Sequence, residues 1–196
     1  MKPGGGLPYG PRSVSVKVRS TLLASSRRGL FDLGHREAYV DALGDEGEIL
    51  VGEAAMVAQW VDLEVALRHY RAADALGLSE SEMVEAGNAV GRRVEGALWG
   101  TVARAARRVG FSPWPILGRL DRVWGRMYRG DVITVRQLGP KDARIEVSDN
   151  PLADVRYWRV ALTGLMQGAT LIFARSAHVR VAQPRAGQAV FDVQWA

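Results

Sequence analysis

The sequence predicts an α+β protein in which a helical N-terminal half packs on a C-terminal antiparallel sheet. Two patterns support this class. Apolar residues recur at helical spacing in several segments between residues 36 and 130, and they alternate with polar residues in four segments after residue 130. A helical segment divides those four strands into two pairs, so the C-terminal half follows the order strand, strand, helix, strand, strand.

Length and composition are those of an ordinary globular protein. The chain has 196 residues, of which 47% are hydrophobic and 24% charged, and it has no cysteine. It can therefore bury a hydrophobic core, and disulfides, thiolate metal sites and cysteine nucleophiles are excluded. We expect residues 1–12, rich in glycine and proline, to be a flexible leader and residues 13–196 to form a single α+β domain. No segment has the length of a membrane span or the apolar core of a signal peptide, so we expect a cytoplasmic protein.

In the N-terminal half, alternation predicts a strand over residues 14–18, and helical spacing predicts helices over residues 36–43 and 61–76. Ser79 and Glu82 then form a capping box, in which each residue satisfies a free backbone N–H of the other. This box predicts the start of a long helix that reaches residue 109.

Four glycines interrupt this long helix. Gly87 and Gly91 lie on its apolar face, and Gly96 and Gly100 lie almost opposite. Each interior glycine costs about 1 kcal/mol of helix propensity relative to alanine. We therefore expect close backbone contacts on two sides, with another helix or with a second copy of the chain. A helix that is simply rich in small residues is the alternative.

In the C-terminal half, Ser112 and Pro113 predict the start of a helix that ends near residue 130. The period of two then predicts a hairpin over residues 133–147. Asn150, followed by proline, predicts the cap of a further amphipathic helix. A second hairpin over residues 179–195 closes the chain.

The sequence contains no phosphate-binding loop, dinucleotide fingerprint, nucleophile elbow or pair of histidines at one-turn spacing. We therefore predict a protein that is not an enzyme and has no metal site. His69 lies on an amphipathic helix, where it could ligate haem or act as a base. A buried structural histidine is the more ordinary interpretation, so we predict no cofactor.

Two groups of side chains are candidates for binding. The first could line an apolar ligand pocket or could belong to the core, and it consists of Trp99, Trp114, Trp124, Tyr157 and Trp158. The second lies on one side of the long helix and consists of Arg93, Arg104, Arg107 and Arg108. These arginines could dock an anionic partner or nucleic acid, or could be a solvated helix face.

Residues 18–196 resemble an uncharacterised family of myxobacterial proteins, which is itself similar to the superfamily of haem-NO-binding, vinyl-reductase and TRAPP-component ligand-binding domains. Residues 86–92, 120–129 and 157–168 carry the resemblance. It implies an α+β fold with helices on an antiparallel sheet and a sensory, ligand-binding or assembly role, commonly as a dimer. The Tyr-x-Ser-x-Arg signature of the haem-binding branch is absent from the sequence, as is the acylated cysteine of the trafficking branch.

Three functions follow from these observations. The first is a non-catalytic regulatory or sensory module that binds a small apolar ligand or a partner protein as a homodimer. The second is a scaffold protein without a pocket, which dimerises through the face that contains Gly96 and Gly100. The third is a nucleic-acid-binding protein that uses the arginine face, and this function predicts salt-sensitive binding.

Overall fold

The computed structural model describes residues 16–56, 58–98, 112–182 and 185–196, and the side chains of residues 55, 56 and 93–98 are outside this description. The expected leader, residues 1–12, also lies outside the described residues. The same is true of the second half of the predicted long helix.

The N-terminal half is mainly helical. Its elements are β1 (Lys17–Arg19), α1 (Ser20–Asp32), α2 (Arg36–Met56), β2 (Trp60–Asp62), α3 (Leu63–Ala75) and α4 (Glu80–Leu98). Helix α2 starts where the sequence predicts a helix, and it kinks at Gly44, immediately after the predicted end. Gly44 has a φ of 71°, a backbone conformation that glycine adopts without steric cost.

The C-terminal half contains two β-hairpins. Its elements are α5 (Trp114–Leu117), α6 (Leu120–Trp124), β3 (Tyr128–Arg129), β4 (Val132–Gly139), β5 (Asp142–Ser148), α7 (Arg156–Leu171), β6 (Ala177–Val181) and β7 (Ala189–Trp195). The predicted order of strand, strand, helix, strand, strand is confirmed by β4, β5, α7, β6 and β7. The predicted α+β class with a helical N-terminal half is confirmed as well.

The main sheet has four antiparallel strands in the order β4-β5-β7-β6. Ile145 of β5 pairs with Phe191 of β7, and Val193 of β7 pairs with Val179 of β6. All four side chains are buried, so one face of the sheet belongs to the core. The apolar residues that alternate with polar ones in the sequence thus form the buried face of this sheet.

A second, three-stranded antiparallel sheet has the order β2-β1-β3. The sequence predicted a helix from residue 61, but residues 60–62 pair with β1 and α3 begins at Leu63. It also predicted one helix over residues 112–130, which the structure replaces with α5, α6 and β3. Gly118 and Arg119 separate the two short helices, and the φ of Arg119 is −127°, outside the helical range.

Before α7, a short 3-10 helix spans Pro151–Asp154. The side-chain oxygen of Asn150 accepts a hydrogen bond from the backbone N–H of Leu152 at 3.0 Å, so Asn150 caps this short helix. The sequence predicted it as the cap of the amphipathic helix, which instead begins at Arg156 with Val155 at its N-cap position. Helix α7 then packs against α4 on one side and against β6 and β7 on another. Within the described ranges, no helix is both long enough and apolar enough to cross a membrane.

A candidate ligand cavity between α4, α7 and the sheet

Helices α4 and α7 cross without side chains between their backbones. A Cβ atom at Gly87 would overlap the carbonyl oxygen of Ala161 and lie 2.6 Å from its carbonyl carbon. One at Gly164 would overlap the carbonyl oxygen of Val84 and lie 2.9 Å from its carbonyl carbon. Real Cβ atoms essentially never approach another atom within 3.0 Å. Both glycines are therefore required at the crossing, because only a residue without a side chain lets the two backbones come this close.

Beyond the crossing, the two helices leave a cavity of about 360 Å³. Gly91 of α4 and Gly168 of α7 form part of its wall, and α5, α6 and β5 enclose the other sides. The backbone oxygen nearest to a Cβ atom at Gly91 would be that of Leu165, at 3.7 Å, which is ordinary van der Waals contact. The cavity thus begins about one turn from the point of closest approach.

The wall of the cavity is mostly apolar. Pro113 precedes α5, and α7 is followed by Ile172 and Phe173. The apolar side chains that α5, α6, their following turn, β5 and α7 contribute to the wall are Ile116, Leu117, Leu120, Val123, Trp124, Met127, Ile145, Leu162, Leu165, Met166, Ala169 and Leu171. Such a lining favours an apolar ligand, because binding removes apolar surface of both partners from water.

Three polar side chains contribute to the described wall: Asn88, Arg92 and Thr170. The hydroxyl of Thr170 donates to the carbonyl oxygen of Met166 at 2.8 Å, so its donor is already used. The guanidinium of Arg92 donates to the carboxylate of Glu85 at 3.1 Å. The half-buried amide of Asn88 makes no side-chain hydrogen bond with the residues that the structure describes.

The wall around Trp124 is held by a half-buried hydrogen-bond network. The indole of Trp124 stacks on Tyr128 with ring centroids 4.3 Å apart, and its Nε1–H donates to the carboxylate of Asp131 at 2.9 Å. The amide of Asn150 donates to the same carboxylate oxygen at 2.9 Å. Burial raises the pKa of Asp131, and these two hydrogen bonds oppose the shift. The orientation of the Trp124 ring is therefore fixed from behind the cavity wall.

The structure separates the five aromatic residues that the sequence suggested for a pocket. Trp124 lines the cavity, whereas Trp158 and Tyr157 are buried in the core. The indole of Trp158 donates to the hydroxyl of Tyr128 at 3.1 Å. Trp114 lies in an edge-on contact with Trp195 at 5.1 Å. Trp99 lies outside the described residues.

The predicted glycine and arginine positions are described only in part. Gly87 and Gly91 lie on α4 against α7, as given above. Gly96 and Arg93 also belong to α4, but their side-chain surroundings are outside the description. The positions Gly100, Arg104, Arg107 and Arg108 lie outside the described residues altogether.

Sequence reasoning did not identify Asn88 and Arg92 as site residues. One signal was available for Asn88. It is a polar residue between Gly87 and Gly91, next to the apolar face of a helix, where a side-chain amide needs a hydrogen-bond partner. Arg92 belongs to the arginine-rich segment over residues 92–129, where an acidic ligand could dock, but the four arginines chosen as candidates did not include it.

His69 occupies a separate polar cluster, away from the described cavity wall. Its Nδ1 lies 2.7 Å from the hydroxyl of Tyr39, and its Nε2 is buried without a partner among the described residues. Burial and, to a smaller extent, the positive charge of Arg27 together lower the pKa of His69 to about 3. Burial also raises the pKa of Tyr39. Both groups are therefore neutral at pH 7. A buried, neutral His69 agrees with the structural histidine that the sequence favoured.

The chain shares its fold with solved H-NOX proteins. An Fe(II) unliganded H-NOX protein from K. algicida has a TM-score of 0.63 and 10% identity, and the alignment covers 91% of this chain and 96% of that one. An H-NOX protein used to study the function of haem distortion has a TM-score of 0.58 and 14% identity, with coverages of 90% and 94%. An H-NOX protein used to study the mechanism of H-NOX activation has a TM-score of 0.56 and 13% identity, and the alignment covers 90% of this chain and 96% of that one. No protein-family model matches the sequence, and no curated protein matches it.

This likeness requires a test of whether the residues of this chain fit haem. Haem iron in proteins takes axial ligands from histidine, cysteine, tyrosine, or methionine together with histidine. Among the described residues of the cavity wall, Met127 and Met166 are the only side chains of these types. His69 lies elsewhere, and His35 contacts the carboxylate of Glu82 at 3.5 Å. The described residues therefore do not fit haem.

A metal ion is a separate case from haem. Among the described residues, no group of three or more histidine, aspartate and glutamate side chains could hold one.

Proposed function

We propose that this protein is a non-catalytic sensory or regulatory module that holds a small apolar ligand in the cavity between α4, α7 and the sheet. The observation that carries the proposal is the cavity itself. Its volume of about 360 Å³ falls at the lower end of the range of roughly 300–1,000 Å³ for small-molecule sites. Its wall combines a continuous apolar surface with a few polar groups, which is the usual composition of such sites.

The position of the cavity supports a regulatory role. A ligand inside it would contact α4 and α7 at once, and α7 is also the helix that packs on β6 and β7. A ligand changes the conformation of a protein only as far as it binds one state better than another. Here the two states would differ in the spacing of α4 and α7 beyond the Gly87 crossing. The sensory part of the proposal is supported by the fold likeness to H-NOX proteins.

The non-catalytic part of the proposal is supported by the chemistry of the wall. In the described part of the wall, the polar groups are one amide, one guanidinium and one hydroxyl, and the hydroxyl is hydrogen-bonded to backbone. General acid-base catalysis needs a group that gains and loses a proton near neutral pH. Neither an amide nor a guanidinium does so.

The first experiment is native mass spectrometry of the purified protein, combined with titration of the neutral, environment-sensitive dye Nile red. We expect a co-purified small molecule or saturable dye binding. The same spectra give the oligomeric state, which tests the homodimer predicted from the family resemblance.

A matched pair of variants assigns the dye site. Val123 is half-buried in the cavity wall, so Val123→Trp fills the cavity and is expected to abolish dye binding. Val132 is 47% exposed on β4 and does not line the cavity, so Val132→Trp is expected to leave dye binding unchanged. Equal dye binding by the wild type and Val123→Trp would contradict the proposal.

A further inference from the structure

We propose that the ligand of this cavity is an amphipathic monocarboxylate, whose carboxylate is held by Arg92 and Asn88 and whose apolar tail enters the cavity. The inference rests on the function proposed above, because it assumes that the cavity binds a ligand. It assigns the chemistry of the ligand from the polar groups that line the wall.

The first observation is the amide of Asn88. This side chain is half-buried in the cavity wall, and it has no side-chain hydrogen bond to a described residue. On the facing helix there is no side chain at Gly168, where a Cβ atom would lie 3.4 Å from the amide oxygen of Asn88. The amide is half-buried and is not among the buried polar atoms of the described residues that lack a partner, so it still reaches water in the empty cavity. A ligand that displaces this water binds well only if it supplies a hydrogen-bond partner in its place.

The second observation is the guanidinium of Arg92, one helical turn from Asn88. Its side chain is 63% exposed and its present partner, Glu85, is 53% exposed. Ion pairs between exposed side chains contribute little to stability, so Arg92 can exchange Glu85 for another anion at low cost. A guanidinium binds a carboxylate through two parallel N–H···O bonds, a geometry that an alcohol cannot match.

The rest of the wall determines the other end of the ligand. Away from Asn88 and Arg92, the described wall consists of apolar side chains and Thr170, whose hydroxyl is already bonded to backbone. A second charged group inside would lose its hydration without a partner, which is strongly unfavourable. The wall therefore fits a ligand with a single charge, held at the half-exposed edge by Asn88 and Arg92, and an apolar tail directed toward Trp124 and Ile145.

The test compares dodecanoate with dodecanol, which have the same alkyl tail and differ in the head group. Both are titrated at pH 7, dodecanoate below its critical micelle concentration and dodecanol below its solubility limit, with displacement of Nile red as the readout. We expect dodecanoate to bind at least about tenfold more tightly, which corresponds to one charge-assisted hydrogen bond. We also expect the affinity to rise about fourfold for each methylene from decanoate to dodecanoate, as apolar burial requires.

Variants of Arg92 and Asn88 test whether these two residues cause the preference for dodecanoate over dodecanol. Arg92→Gln and Asn88→Leu are expected to reduce the preference for dodecanoate while leaving dodecanol binding intact. Arg122 is exposed on α6 and does not line the cavity, so Arg122→Gln is the matched control for a loss of positive charge. It is expected to bind dodecanoate as the wild type does.

The outcomes separate the two proposals. If dodecanoate and dodecanol displace Nile red equally well, the carboxylate inference is overturned and the apolar cavity stands. An equal loss of dodecanoate binding in Arg92→Gln and Arg122→Gln would also overturn it, because it would indicate general attraction to a basic protein. If Nile red itself does not bind, the proposed function fails.

Discussion

Replacing Gly87 with alanine tests the close crossing of α4 and α7. The new Cβ atom would overlap the carbonyl oxygen of Ala161 and would lie 2.6 Å from its carbonyl carbon, about 0.8 Å inside the 3.4 Å at which ordinary contact begins. The clash is with backbone, so no side-chain rotation relieves it and the helices must separate. Overpacking of this kind costs about 1–3 kcal/mol and occasionally more, and alanine returns about 1 kcal/mol of helix propensity. We expect a net loss of about 2 kcal/mol, which corresponds to a fall in Tm of about 4–8 °C.

The assay is urea unfolding of the ligand-free protein, followed by far-ultraviolet circular dichroism. Gly91→Ala is the matched control, because its Cβ atom would make only ordinary contact with Leu165 at 3.7 Å. This variant is expected to gain up to about 1 kcal/mol from helix propensity. If Gly87→Ala is as stable as Gly91→Ala, the crossing is looser than the structure indicates and the reasoning is refuted.

Two further predictions concern pH. The pKa of His69 is about 3 in the folded protein and about 6.5 when unfolded, so only the unfolded chain gains a proton between those values. Stability should fall by about 1.4 kcal/mol per pH unit below pH 6.5, and this slope should disappear in His69→Phe. If the stability of His69→Phe, measured by urea unfolding, falls as steeply as that of the wild type between pH 6 and pH 4, the burial argument is contradicted. The pKa of Asp192 is lowered by hydrogen bonds from Arg144 at 2.8 Å and Arg180 at 3.2 Å. Its contribution is present above the unfolded pKa of about 3.9 and is lost as pH falls further. Asp192→Asn should therefore be less stable than the wild type at pH 7, with a smaller difference at pH 2.

The elements that the sequence predicted correctly have their signal within a few consecutive residues. The hairpins show a period of two, and Asn150 makes a capping hydrogen bond to nearby Leu152, although it caps the short 3-10 helix and not α7. The short strands β2 and β3 were not predicted, because their signal does not lie within their own residues. Strands β2 and β3 have three and two residues, too few for a period, and they form because β1 is available to pair with them.

The cavity could not be read from the sequence for a similar reason. Its wall joins α4, α5, α6, β5 and α7, and only the packing of these elements determines which apolar side chains face an empty volume. Trp158 and Trp124 have the same chemistry, both lie on helices and both are buried, yet only Trp124 lines the cavity. Amphipathic spacing shows which face of a helix is buried, but not what lies opposite.

The small sheet has a consequence for how the chain folds. Strand β1 lies between β2 and β3, and it pairs Val18 with Tyr128, two residues that are 110 positions apart in the sequence. Contacts so distant in sequence slow folding, because a long loop must close before the contact forms. On the ribosome, β1 would keep one open edge until residue 129 had emerged from the exit tunnel. The first residues of the described chain would thus be among the last to reach their final neighbours, and an open strand edge is a site of aggregation during that delay.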